Sequence, residues 1–400
     1  MVVQGETLFC ARARARRGNI IKGNCWLVLM ALAALLTAET AAFVCGGARL
    51  QRIGNLAGLR RASSFAKGKR KSALGCAAPS PSSSSGEKFY VSTPIYYVNG
   101  APHIGHAYTS LAADVLVRYA RLGGSGMPFL LTGVDEHGEK VAGNAESQSL
   151  HPQDLCNANS ARFEALLETL GISNDYYIRT TSDLHKAGAQ QFWKDLQDSG
   201  HIYKGSYEGW YSVTDECYYA DSELQTIEGT DEKVAPTGSK VVWKEKEETY
   251  FFKLSAFEQP LLDHIRANPD FILPASRRNE VLSFLESGLR DLSISRTKFK
   301  WGIPVPNDPD HVMYVWIDAL TNYLTALGYK TSPSKLDALW PPDVQVVGKD
   351  ILRFHAVYWP AMLMAVGMQL PKRIYAHGWW TRDGEKISKS LGELRFRASP

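Results

Sequence analysis

Between Val91 and His106 an aromatic, β-branched run (VSTPIYYV) gives way, through Asn99-Gly100, to PHIGH and then to an apolar helical pattern that lasts to about Arg121. This junction constrains the fold more than any other feature. A short apolar run closed by Asn-Gly reads as a buried strand over Val91–Val98. Gly123-Gly124 ends the helix, and Phe129–Val134 supplies a second strand. A strand, a helix and a second strand in that order make a parallel pair joined by a crossover, the repeating unit of an α/β sheet. Two more helices follow. One begins at Pro152 with Leu155, Phe163, Leu166, Leu167 and Leu170 on one face, and the other spans about Ser182 to Gly200.

From His201 to about Arg296 the texture becomes short, aromatic and turn-rich, which predicts an inserted lobe of small strands followed by helices. The α/β pattern then returns. HVMYVWI, VQVVG and RIYAHG read as strands, and ILRFHAVYWPAMLMAVG as a continuous helix. The expectation is therefore one sheet domain, 87–200 and 297–400, split by an insertion at 201–296.

Residues 1–86 stand apart. They carry thirteen Lys and Arg but only Glu6 and Glu39, leaving 32 basic and 39 acidic side chains for the rest, a net of about −7. A mildly acidic body must meet nucleic acid through a local basic face. Four of the six cysteines (Cys10, Cys25, Cys45, Cys76) also lie in this stretch. Cys156 and Cys217 are too few for a disulfide scaffold and suit a reducing compartment. A basic start, the apolar run CWLVLMALAALLTA and small residues before Phe43 read as a signal peptide. An acid-free stretch rich in Arg, Lys, Ser and Ala follows, as in organelle transit peptides. The combination resembles the two-part leaders of plastids bounded by extra membranes, with a mitochondrial destination also open. A single membrane anchor with a basic linker is the competing reading. The mature part is expected to be free of membrane and monomeric.

The two histidines pose a chemical question. Helix N-termini at the ends of parallel strands attract phosphate, because unpaired backbone N–H groups and the helix dipole point there. His103 and His106, three residues apart, can project to one side of the first turn and donate to triphosphate oxygens. Gly105 leaves room for a base or ribose to approach the backbone, and Asn99 shapes the turn leading in. A metal pair would need further ligands at usable spacing, which the neighbourhood lacks. Near the other end, RDGEKISKSLG sets Lys386 and Lys389 in a glycine-bearing loop that could close over the same phosphates.

With both motifs in hand the chain resembles the class I aminoacyl-tRNA synthetases. His103-Ile104-Gly105-His106 is similar to their HIGH signature, and Lys386-Ile387-Ser388-Lys389-Ser390 to their KMSKS loop with Ile for Met. Four segments, STPIYYVNGAPHIGHAYTSLAADVLVRY, LLTGVDEHGEKV, YVWIDALTNY and GKDILRFHAVYWPAMLMA, narrow the resemblance to the methionyl-tRNA synthetase family over about Lys88–Gly392. The resemblance implies a Rossmann-like doubly wound parallel sheet split by a connective-peptide lobe. It also implies ATP and Mg²⁺ as reactants, and L-methionine and tRNA(Met) as partners.

By the same resemblance His103, His106, Lys386 and Lys389 act on the phosphates, and Asn99, Gly105, Gly348, Asp350 and His377 complete the ATP site, Asp350 at the ribose. Ile95, Tyr97, Trp316, Ala319, Tyr323, Ile351, His355 and Trp359 form the methionine pocket, and Asp135 holds the α-ammonium. A linear, polarizable thioether suits aromatic walls with few charges. Ile351, His355 and Trp359 are four apart, one face of a helix.

Two departures from the family follow. Relatives carry Cys-x-x-Cys zinc knuckles in the lobe, whereas only Cys217 stands here, so no zinc is expected. The family continues past its lysine loop into an anticodon-binding helical domain, whereas this sequence reads SLGELRFRASP, so activation of methionine without efficient tRNA charging is the expected limit. Another class I synthetase, or an impaired remnant acting as a nucleotide- or partner-binding module, are the alternatives.

Overall fold

The computed structural model describes residues 88–379 except 124–125, 213–216, 220, 228–231 and 237, together with Thr381–Arg382 and Glu385–Lys386. The leader and residues 387–400, with Lys389, lie outside the described residues.

Seven strands form one sheet, in the order Ile272–Leu273, Ile374–His377, Val344–Gly348, Lys88–Ser92, Met127–Asp135, Tyr96–Tyr97, with Tyr176–Arg179 also paired to Met127–Asp135. Every pairing is parallel. The chain leaves Lys88–Ser92 toward Met127–Asp135 on one side and returns much later to Val344–Gly348 on the other. The crevice where ligands bind in such sheets therefore opens beyond Ser92 and Gly348. Helix Ile104–Leu122 packs Ala113 and Val117 on one face of the sheet against Val91, Leu130, Val344 and Val346. The other face carries the main core, where Trp193, Tyr323, Leu324 and Trp359 are buried.

Four sequence expectations are corrected, the last of them within the inserted segment. Val91–Val98 is not one strand: Pro94 cannot donate to the ladder, so pairing stops at Ser92 and resumes only at Tyr96–Tyr97. HVMYVWI does not join the sheet. Asp308–Met313 pairs antiparallel with Ser295–Arg296 and Pro304–Val305, and the chain enters helix Val315–Thr325 directly after Tyr314. A short apolar run cannot by itself be assigned to strand or buried helix, and here it holds the end of one and the start of the other. ILRFHAVYWPAMLMAVG is not one α-helix but a 3₁₀ turn at Lys349–Ile351, a π-turn at Phe354–Tyr358 and α-helix Trp359–Ala365. Pro360 has no N–H to return to Ala356, and the widened turn before it bonds Trp359 N–H to the Phe354 carbonyl instead.

The inserted segment builds a second, antiparallel sheet from Ile202–Ser212, Cys217–Tyr219, Val242–Phe252 and Leu292–Ser293. Ile272–Leu273, in the middle of the stretch read as insertion, instead adds to the edge of the main sheet beside Ile374–His377. No described helix is long and apolar enough to cross a membrane.

Candidate active site

The first turn of helix Ile104–Leu122 is closed by its own histidines. His103 Nδ1 accepts from Gly105 N–H at 3.1 Å, and His106 Nδ1 accepts from His103 N–H at 3.0 Å, a reciprocal cap usually made by Ser and Glu. The rings stack at 3.8 Å between centroids. With each Nδ1 accepting, a neutral ring keeps its proton on Nε2, so cap and tautomer are set together. Both histidines thereby present N–H donors of the kind an anion needs. Tyr96 and Phe163 flank His106 at 4.9 Å each. Gly105 has a use nearer home than the one read from sequence: a Cβ there would lie 2.9 Å from His103 Cε1, so the glycine makes space for the capping ring itself.

Across the switch point, Gly348 and His377 are in register on adjacent strands. Thr109, on the histidine helix, hydrogen-bonds His377 Nε2 at 2.8 Å, tying that helix to the second strand end. Burial lowers the His377 pKa from the ordinary value. A Cβ on Gly348 would lie 2.7 Å from Asp350 Oδ1, and that oxygen accepts from Trp379 Nε1 at 3.1 Å. Lys349 sits over the Trp379 ring at 3.7 Å. Trp379, itself part of the HGWW stretch, was not singled out from sequence. Asn99 lies in the turn before the helix, its carbonyl accepting from Asn144. His103, Gly105, His106, Gly348, Asp350 and His377 thus meet at the ends of neighbouring strands. Lys386 lies in strand Glu385–Lys386, paired to Thr381–Arg382.

The second half of the site is assembled from distant elements. Tyr97 and Asp135 are paired across parallel strands, and Asp135 is buried. Facing helices supply a wall. Tyr323 O–H donates to His355 Nε2 at 2.8 Å, and His355 Nδ1–H donates to the Ile351 carbonyl at 3.0 Å. Both ring nitrogens are satisfied with a single proton, and burial holds the His355 pKa down to about 4, so the imidazole is neutral at pH 7. Trp316 stacks on Phe354 at 3.7 Å and 7°. Ala319 is buried on the same helix, while Ile95 and Ile351 pack against the core at its margin. Trp359 is fully buried, 6.1 Å from the Tyr323 ring and 5.7 Å from Phe192, so it supports this wall from behind. The result is an uncharged aromatic surface built from Trp316, Tyr323, Phe354 and His355.

The turn after Asp135 is anchored throughout. Glu136 accepts from Arg179 Nε at 2.8 Å and from Thr181 Oγ1, and its carbonyl accepts from Trp301 Nε1 at 2.6 Å. His137 is bonded to Asp318. None of Glu136, His137, Asp318 and Phe354 was singled out from sequence. The available signal was Asp318, the only charged residue in helix Val315–Thr325. Among the described residues no group of three His, Cys, Asp or Glu side chains is placed to hold a metal ion.

A parallel sheet whose switch point carries a histidine-capped helix start on one side and a Gly-x-Asp turn on the other defines a class I aminoacyl-tRNA synthetase core. The model of the family "tRNA synthetases class I (M)" matches residues 89–396. The methionine--tRNA ligase of Rickettsia bellii is 57% identical over 304 residues, 76% of this chain and 58% of its own length. That of Rhizobium meliloti is 53% identical over 307 residues, 76% and 59%. The Mycobacterium tuberculosis methionyl-tRNA synthetase in complex with methionyl-adenylate superposes with a TM-score of 0.73 at 49% identity, covering 76% of this chain and 60% of that one. The chain belongs to the methionyl-tRNA synthetase family. It spans about three fifths of the length of these relatives.

Proposed function

We propose that this chain activates L-methionine with ATP, forming methionyl-adenylate and diphosphate, and that the methionyl group then passes to tRNA(Met). The observation that carries the choice of amino acid is the neutral Tyr323–His355–Ile351 relay, with the buried Asp135 carboxylate as the second element: an apolar, polarizable side chain fits the first and an α-ammonium the second. The structure of the relative with bound methionyl-adenylate supports the same reading.

In the first step a carboxylate oxygen of methionine attacks the α-phosphorus and the bond to the diphosphate oxygen breaks in line. The work of the protein is placement and charge neutralisation. Nε2–H of His103 and His106 face the departing phosphates, and Asp350 accepts from the ribose hydroxyls. Lys386 and Lys389 take the charge-neutralising role that the resemblance gives them, while Mg²⁺ arrives with the triphosphate as part of the substrate. In the second step the terminal ribose hydroxyl of the tRNA attacks the carbonyl and AMP leaves. Incubating the 400-residue chain with ATP and methionine should leave methionyl-adenylate on the protein, detected by mass spectrometry after gel filtration. Adding a tRNA(Met) transcript should discharge it only slowly, activation being the step this chain is expected to perform well. Adenylate of another amino acid, or none, contradicts the proposal.

Residues 1–86 are proposed as a plastid leader. Fused to a fluorescent protein, they should deliver it to that organelle in an alga with a complex plastid, and retention at the secretory membrane would contradict this.

A further inference from the structure

One buried cluster has no part in either step. Asp318 Oδ2 accepts from His137 Nδ1 at 2.7 Å and Oδ1 accepts from His185 Nε2 at 2.7 Å, with all three side chains at most 3% exposed. His185 Nδ1 continues to Thr325 Oγ1 at 2.8 Å. Burial alone would raise the Asp318 pKa, but the two imidazoles prevail and hold it at about 2, so the carboxylate is charged. A charged group in a core carries a desolvation cost that an apolar residue would avoid, so what it supplies is fixed geometry.

Its connections give that geometry a meaning. His137 lies two residues beyond Asp135, in the turn before helix Glu139–Ser147. His185 belongs to helix Asp183–Asp198, which sits so close that a Cβ on Gly188 would lie 2.5 Å from Thr325 Cγ2. Asp318 itself lies on helix Val315–Thr325 between Trp316 and Ala319. One carboxylate thus joins the turn bearing the ammonium ligand to the helix bearing the side-chain wall.

We infer that Asp318 is a specificity-determining positioning residue: by clamping His137 and His185 to the pocket helix it fixes the separation of Asp135 from the Trp316–Tyr323 wall, and so sets the side-chain length the site accepts. This rests on methionine binding between those two ends. The test is ATP–pyrophosphate exchange by the full chain and its Asp318→Asn variant, with methionine, ethionine (one methylene longer) and S-methylcysteine (one shorter). Asparagine keeps an acceptor for one imidazole only. The variant should stay folded by circular dichroism and lose about tenfold in kcat/KM for methionine relative to ethionine, through methionine KM, with ATP KM unchanged. A common loss for all three amino acids, with ratios intact, assigns Asp318 a structural role and overturns the inference. Should Asp318→Asn not fold, His185→Gln removes one arm alone and must move the ratio the same way, an unchanged ratio again overturning it. Wild-type exchange with no amino acid, or with a different one, would instead refute methionine activation itself.

Discussion

The two ends of the site are built in different ways. At the end proposed for the nucleotide, the histidine cap is local, because His103, Gly105 and His106 bond one another, and Gly348 and His377 are in register on adjacent strands, with Thr109–His377 a long-range tie between them. At the end proposed for methionine, Tyr97, Asp135, Tyr323 and His355 come from four elements, and their positions depend on how helices pack over the sheet. A locally determined site survives small shifts in packing. A site assembled from afar needs joints such as Asp318 to hold its parts in register.

That contrast can be broken by variants whose kinetic signatures should differ. His106→Ala removes a proposed phosphate donor and one half of the helix cap; the exchange rate should fall roughly 10²–10³-fold, as for loss of a transition-state donor, with methionine binding by calorimetry preserved. Asp135→Ala should do the reverse. Methionine affinity should weaken roughly ten- to a hundredfold, the range for a lost charged hydrogen bond, while ATP affinity stays within about twofold. Equal losses for both substrates in either variant would dissolve the division into two ends.

A smaller effect concerns pH. His355 titrates near 4 when folded against an ordinary 6.5, so the unfolded chain binds a proton that the native one refuses between those values. Stability from this group is complete above pH 6.5 and declines as pH falls toward 4. Replacing His355 with Gln should remove about 2 kcal/mol of the stability difference between pH 7 and pH 5, read from urea unfolding at both. The buried Asp318 carboxyl, near 2, titrates below this window. An undiminished pH dependence in the variant would show that His355 is not buried as a neutral ring. The smallest effect is expected from Gly105→Ala. The new Cβ meets a ring that can swing away, so exchange should drop by less than about tenfold, with loss of a helix cap worth about 1 kcal/mol.

What could be read in advance follows the same division. The strand–helix junction, Pro152 opening a helix and the next helix starting near Ser182 were legible, because each signal is a short-range backbone preference. HVMYVWI was misread because its apolar residues serve a strand end and a buried helix in turn. The break at Phe354–Tyr358 was missed although Pro360 announces it. The pocket aromatics were reached only by resemblance, since burial alone does not separate a wall from a core. The His137–Asp318–His185 clamp joins three residues that are each unremarkable in their own segments, and only the packed chain brings them together.

The central claim is that these two ends together make a methionine-activating site. The most direct measurement is ATP–pyrophosphate exchange by the 400-residue chain with methionine, and with leucine, isoleucine and cysteine as controls. Exchange dependent on methionine alone is the predicted result. Equal exchange with a control amino acid, or a folded chain that binds no methionine, would contradict it.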